Sequence, residues 1–197
     1  MAQLLRDVVS FVRELDNVPE QLSHPVPCAI MYTDPMERTR HIHQIEPVFD
    51  ECSRILLLGT FPSPKSREAG FFYGHPQNRM WRVLAAVCGE DVPQTVEERR
   101  AFLLRNRIAM WDVLASCAIR GASDASIRDA VPNDLSRILD AAPIERIYAT
   151  GAKAHELYRR YLEPVYGREC TRLPSTSPAN AAMGLDELIE AYRMLRG

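Results

Sequence analysis

Four short stretches of this chain combine residue types that can do chemistry. The first is Gly59-Thr60-Phe61-Pro62-Ser63, a break directly after the apolar run Ile55-Leu56-Leu57-Leu58. A glycine-bearing loop at the end of a strand exposes main-chain N–H groups. Such groups can stabilise charge that develops on a leaving group, typically by about 3 kcal/mol per donor. The second stretch, Tyr73-Gly74-His75-Pro76-Gln77-Asn78, offers an aromatic face and then a neutral amide. An amide can orient a water molecule without burying a charge; the alternative for Asn78 is a cap on the helix that follows. The third is Asp112, an acceptor at the end of Ile108-Ala109-Met110-Trp111. The alternative there is an aspartate that fixes the Gly121–Asp124 loop through its backbone. The fourth, Leu173-Pro174-Ser175-Thr176-Ser177-Pro178-Ala179-Asn180, is a stiff turn rich in small hydroxyls, flanked by Arg168 and Arg172. Small residues and exposed amides suit close approach to a phosphate backbone; the alternative is a plain strand-to-helix connection.

These stretches need a scaffold that brings them to one edge. Strands are expected at Arg54–Leu58 and Ile108–Trp111, which are short unalternating apolar runs, and at Arg146–Thr150 and Cys170–Leu173. Helical spacing predicts helices at Asn78–Val87, Val96–Arg105, Pro132–Ala141, Ala152–Leu162 and Leu185–Leu195. Strands separated by helices imply an α/β fold, with a mostly parallel sheet covered on both faces. In such sheets ligands bind beyond the carboxyl ends of the strands, where all four stretches should lie. Phe61, Phe71 and Phe72 read either as walls of that pocket or as core.

Residues 4–15 carry apolar residues at helical spacing, and the Pro- and His-rich segment 16–45 looks irregular apart from a short strand at Ala29–Tyr32. Residues 1–45 are therefore expected to form an extension packed on a core domain of residues 46–197. His24, His41 and His43 invite a metal reading, but no HExxH spacing or carboxylate cluster accompanies them.

Composition excludes several classes. With 46% hydrophobic and 25% charged residues the chain is ordinary for a globular protein, and no apolar run reaches the roughly 18 residues of a membrane span. A net charge of −2 argues against a globally basic nucleic-acid binder, yet Lys65, Arg67, Arg79 and Arg82 face only Glu68 between Ser63 and Arg82. The five cysteines are scattered with no CxxC pair, which points to reduced thiols in a cytoplasmic setting. No GxGxxG or GxxxxGK[ST] loop follows any strand, so a nucleotide-binding α/β protein is disfavoured.

The blocks Leu58–Ser63, Tyr73–Trp81, Trp111-Asp112-Val113 and Leu173–Asn180, in this order, resemble the uracil-DNA glycosylase superfamily, closest to its hypoxanthine-DNA (deoxyinosine) glycosylase branch. The resemblance spans about Glu46 to Gly197. It implies a three-layer α/β/α sandwich around a four-stranded, mostly parallel sheet. It also implies excision of a deaminated base from DNA with no metal or redox cofactor; the expected partner is double-stranded DNA and the expected state a monomer, and the alternatives are mismatched uracil as the main substrate or a catalytically silent DNA-binding protein on the same fold. Two departures stand out. The Gly59–Ser63 loop lacks the Asp or Asn of the best-known members, and the last loop lacks their His. In the branch this sequence resembles, the catalytic amide lies in the second block, which matches Asn78.

On this resemblance Asn78 is the catalytic residue. Gly59, Thr60, Phe61, Pro62, Ser63, Tyr73 and Asp112 bind the base. His75, Arg79, Arg172, Ser175, Thr176, Ser177, Pro178, Ala179 and Asn180 contact DNA, with Arg82 and Arg168 as further phosphate candidates. A lyase step would need an amine nucleophile. The only lysines, Lys65 and Lys153, sit in none of the motif loops, so a monofunctional enzyme is expected.

Overall fold

The computed structural model describes residues 39–196. The helix expected over residues 4–15, the strand at Ala29–Tyr32 and His24 lie outside them. Four strands form one sheet in the order β3-β2-β6-β7: β2 (Ile55–Gly59), β3 (Ile108–Asp112), β6 (Arg146–Thr150) and β7 (Thr171–Leu173). Every pairing is parallel. All residues of β2 and β3 are buried, which explains why their sequences read as continuous apolar runs.

Seven helices accompany the strands among the described residues. They are α1 (Pro64–Ala69), α2 (Met80–Cys88), α3 (Val96–Arg105), α4 (Ser136–Leu139), α5 (Ala152–Tyr161), α6 (Glu163–Tyr166) and α7 (Leu185–Tyr192). Helix α2 packs against α7, α3 against β3, and α5 against β6 and β7. Helix α3 has its predicted limits because a capping box sets its start. Thr95 Oγ1 accepts the Glu98 N–H, and Glu98 Oε2 accepts the Thr95 N–H. The predicted helix over Pro132–Ala141 is much shorter. Its first residue belongs to a strand, and Asn133 donates its side-chain amide to the Asp112 carbonyl, which holds that stretch out of a helix.

Helix α1 and a second sheet were not anticipated. Helix α1 occupies the polar segment after Ser63; the Ser63 hydroxyl caps it, Pro64 sits at its first turn and Gly70 closes it at φ 63°. The second sheet is antiparallel, in the order β1-β4-β5, from β1 (Thr39–Ile42), β4 (Leu114–Ile119) and β5 (Arg128–Pro132). Its outer strands are mostly exposed and follow no clean alternation, so their sequences carry little strand signal. The sheet matters here because β1 places His43 beside the ends of the parallel strands, with the His43 N–H donating to the Ala115 carbonyl at 2.7 Å.

Candidate active site

Strand register builds the floor of the site. Gly59 pairs with Asp112, Leu58 with Ala149 and Thr150 with Leu173, so Asp112, Gly59, Thr150 and Leu173 line up across the carboxyl edge of the sheet. Only glycine fits at position 59: a Cβ there would lie 2.1 Å from Asp112 Oδ1 and 3.3 Å from the Tyr73 hydroxyl. Asp112 is buried and lines a cavity of about 750 Å³. That volume is ample for a planar heterocycle. The Asp112 Oδ2 lies 2.8 Å from His43 Nε2, and its Oδ1 has no hydrogen-bond partner among the described residues. The Gly121–Asp124 loop is tied down by a different pair, the Thr60 hydroxyl donating to Asp124 Oδ2 at 3.0 Å. Asp124 is exposed as a residue, but desolvation of its carboxyl, with Asp112 nearby, raises its pKa against the lowering effect of the Thr60 bond.

Tyr73 closes the floor from the other side. Its hydroxyl lies 2.8 Å from Thr150 Oγ1, and Thr150 in turn donates to the Leu58 carbonyl, so the tyrosine is the donor to Thr150. Burial above all, and then the neighbouring Asp112 charge, hold the Tyr73 phenol protonated well above its usual range. Its backbone sits at φ 51°, an uncommon conformation for a bulky residue and typical of strain held at a site. Of the phenylalanines, Phe61 and Phe72 line the cavity, whereas Phe71 stacks on Trp81 at 6.0 Å in the core.

Asn78 is held on one side only. Its Oδ1 accepts from the Met80 N–H at 2.9 Å and from the Thr176 hydroxyl at 2.9 Å. It therefore does cap α2, but the amide has another half. With Oδ1 fixed by two donors, Nδ2 is left without a partner among the described residues, and the residue lines the cavity. The main-chain N–H groups of Thr60, Phe61 and Ser63 likewise find no partner among the described residues. One wall thus presents backbone donors, another an amide donor, and the floor a carboxylate acceptor.

The last loop forms the lip. Ser175, Ser177, Ala179, Asn180 and the exposed Arg172 line the cavity, together with Thr60, Pro62 and Ser63 opposite. Two residues expected to touch DNA have other duties. Thr176 is 1% exposed and its hydroxyl fixes Asn78. Arg79 spends its guanidinium on the loop's carbonyls: Asn180 at 2.8 Å, Ser177 at 3.0 Å, Thr176 and Met183. It braces the lip, because several main-chain acceptors converge on one fork of donors. Arg168 similarly donates to the Ile144 carbonyl, while Arg82 is exposed. His75 and Pro178 stand outside the cavity lining.

Two floor residues escaped the sequence reading, Thr150 and His43. Thr150 has a usable signal as the last residue of a predicted strand at the functional edge. His43 has none, since 69 residues separate it from Asp112.

Comparison with known proteins places these features in context. Residues 46–196 match the model of the uracil DNA glycosylase superfamily. Two curated relatives named hypoxanthine DNA glycosylase, from Methanosarcina barkeri and Methanosarcina acetivorans, are each 36% identical over 135 residues. That match covers 68% of this chain and 85% and 84% of theirs. The solution NMR structure of a candidate uracil DNA glycosylase from Methanosarcina acetivorans superposes with a TM-score of 0.67 at 32% identity, over 81% of this chain and all of that one.

Proposed function

Because the chain belongs to the uracil DNA glycosylase superfamily, we propose that it is a monofunctional DNA glycosylase that hydrolyses the N-glycosidic bond of a flipped, deaminated nucleotide, with hypoxanthine as the first substrate, and leaves an abasic site. The observation that carries this reading is a pair of groups on cavity-lining residues that have no partner among the described residues, the Asp112 Oδ1 acceptor and the Asn78 Nδ2 donor. The names of the two 36%-identical relatives support the choice of base.

Deamination has one chemical signature. It replaces a bare ring-nitrogen lone pair and an amino group by a ring N–H and a carbonyl. A buried carboxylate oxygen at that ring position accepts the new N–H and repels the lone pair of adenine or cytosine. An acceptor facing an acceptor leaves both unpaired, and such mismatches give large discrimination. Asp112 is suited to this reading of the base, and Phe61 and Tyr73 supply its flat walls.

A base inside a duplex cannot reach such a floor, so the nucleotide must leave the stack, at about a few kcal/mol and least when it is mispaired. The lip residues Ser175, Ser177 and Asn180, with Arg172, would hold the opened duplex, and Arg79 would keep their loop in shape. As the bond from C1′ to the base breaks, its electron pair goes to the base and the sugar becomes oxocarbenium-like. The free N–H groups of Thr60 and Phe61 would stabilise the developing negative charge. Asn78 Nδ2 would hold the oxygen of a water, whose other lone pair forms the new bond to C1′ before its proton passes to solvent. No strong base is needed for that addition.

The test is alkaline cleavage of labelled duplexes that carry one inosine, uracil or xanthine, with wild type beside Asn78→Ala. Inosine should be cut, and the folded variant should be slower by about 100-fold or more. Cleavage of uracil alone would shift the main substrate to mispaired uracil. Duplex binding with no cleavage at all would replace the enzyme by a silent DNA-binding relative.

A further inference from the structure

We propose that His43 is a positioning residue for the Asp112 carboxylate, and so sets the discrimination made at the cavity floor; this rests on the reading of Asp112 given above. His43 lies just before the segment that matches the superfamily model, which begins at residue 46. It reaches the site from the antiparallel sheet rather than from the parallel one.

The hydrogen bonds fix the state of the ring. The Ile45 N–H donates to His43 Nδ1 at 3.2 Å, so Nδ1 is an acceptor. The ring hydrogen is therefore on Nε2, which donates to Asp112 Oδ2 at 2.8 Å. Both side chains are almost fully enclosed, at 2% and 7% exposure. The imidazole cannot turn freely. It meets the edges of Phe61 at 5.9 Å and Trp111 at 6.2 Å, and Phe72 leans on it at 6.3 Å.

A carboxylate this enclosed needs a donor, and the ring supplies one to Oδ2 alone. That leaves Oδ1 as the carboxylate oxygen without a partner among the described residues and fixes the plane in which its lone pairs meet a bound base. Without the imidazole, Oδ2 would compete for whatever donor the base presents. The carboxylate would then turn about its own bond, because nothing else among the described residues bonds to either oxygen.

The test uses the full chain in single-turnover assays with enzyme in saturating excess, so that a small unfolded fraction does not alter the rate. The duplexes carry deoxyinosine, which has the ring N–H, or deoxynebularine, a purine with a bare lone pair at the same position. His43→Phe keeps the aromatic packing and removes the donor. It should lower the inosine-to-nebularine rate ratio by about tenfold, the worth of one net charge-assisted hydrogen bond. Affinity for the duplex should stay within about twofold, since no phosphate contact is lost. His43→Gln, whose Nε2 lies near the position of the imidazole Nε2, should restore most of the ratio; a residue that merely filled space would show no such rescue. Asp112→Asn should lower the ratio as well. If Asp112→Asn lowers it and His43→Phe does not, the role of His43 is refuted and that of Asp112 stands. If Asp112→Asn leaves it unchanged, the reading of Asp112 falls and takes His43 with it. Wild-type protein with 15N-labelled histidine gives a check that needs no variant. Its His43 signals must show the Nε2–H tautomer, and an Nδ1–H tautomer overturns the proposal.

Discussion

The floor and the lip of the cavity are built on opposite plans. On the floor and the walls beside it, these polar side chains have partners from distant parts of the chain: Asp112 with His43, Tyr73 with Thr150, Asn78 with Thr176. On the lip the partners are local. Ser175 Oγ accepts the Ser177 N–H, Ser177 Oγ accepts the Ala179 N–H, and Asn180 Nδ2 donates to the Ser175 carbonyl. Long-range partners fix direction, which is what reading a base requires. Short-range turns set the loop's own shape and leave small hydroxyls and amides at its rim, which suits contact with a phosphate backbone. Two residues join the two plans: Thr176, whose hydroxyl fixes Asn78, and Arg79, at the start of α2, which fastens the lip to the helix that Asn78 caps.

The sharpest way to break the floor is Gly59→Ala. Its Cβ would stand 2.1 Å from Asp112 Oδ1, so either the carboxylate or the strand must move. We expect excision to fall by more than about 100-fold and the melting temperature to drop. Wild-type rates would mean that the floor can shift without loss of function. Asn78→Asp comes next. It keeps an acceptor for the Met80 N–H and replaces the cavity-facing donor by an acceptor. Stability should change by less than about 1 kcal/mol, while excision should fall by about 100-fold; an active variant would show that an acceptor suffices at this position. Arg79→Ala leaves the lip's carbonyls without their donor fork. It should cost about 2–3 kcal/mol of stability in urea unfolding and weaken duplex binding more than the single-turnover rate. The smallest effect belongs to Arg172→Ala. Stability should hold within about 0.5 kcal/mol, and the slope of log affinity against log salt should fall by about 1. An unchanged slope would remove Arg172 from the DNA contacts.

What was legible in the sequence follows from the range of the interactions. The Ile55 and Ile108 strands were visible because burial on both faces leaves an apolar run. The Val96–Arg105 helix was visible because Thr95 and Glu98 cap it within one turn. The match to the superfamily could be read from four blocks in order, since each block is one short contiguous stretch of chain. The antiparallel sheet stayed hidden, because its exposed outer strands carry neither an apolar run nor a regular alternation. The role of Arg79 stayed hidden for another reason. An arginine beside a loop looks like a phosphate contact until the loop's carbonyls are seen to turn towards it.

By itself, then, the sequence determined the four strands of the parallel sheet, most of the longer helices between them, and which loops reach its carboxyl edge. These are consequences of local patterning and of burial. Only the tertiary structure decided how the site is wired. It showed which half of the Asn78 amide and which oxygen of Asp112 are left without a partner among the described residues, and that a histidine following a strand of a separate sheet holds the other oxygen. Hydrogen-bond direction depends on partners brought together by folding, in the case of His43 and Asp112 across 69 residues, and no local pattern records them.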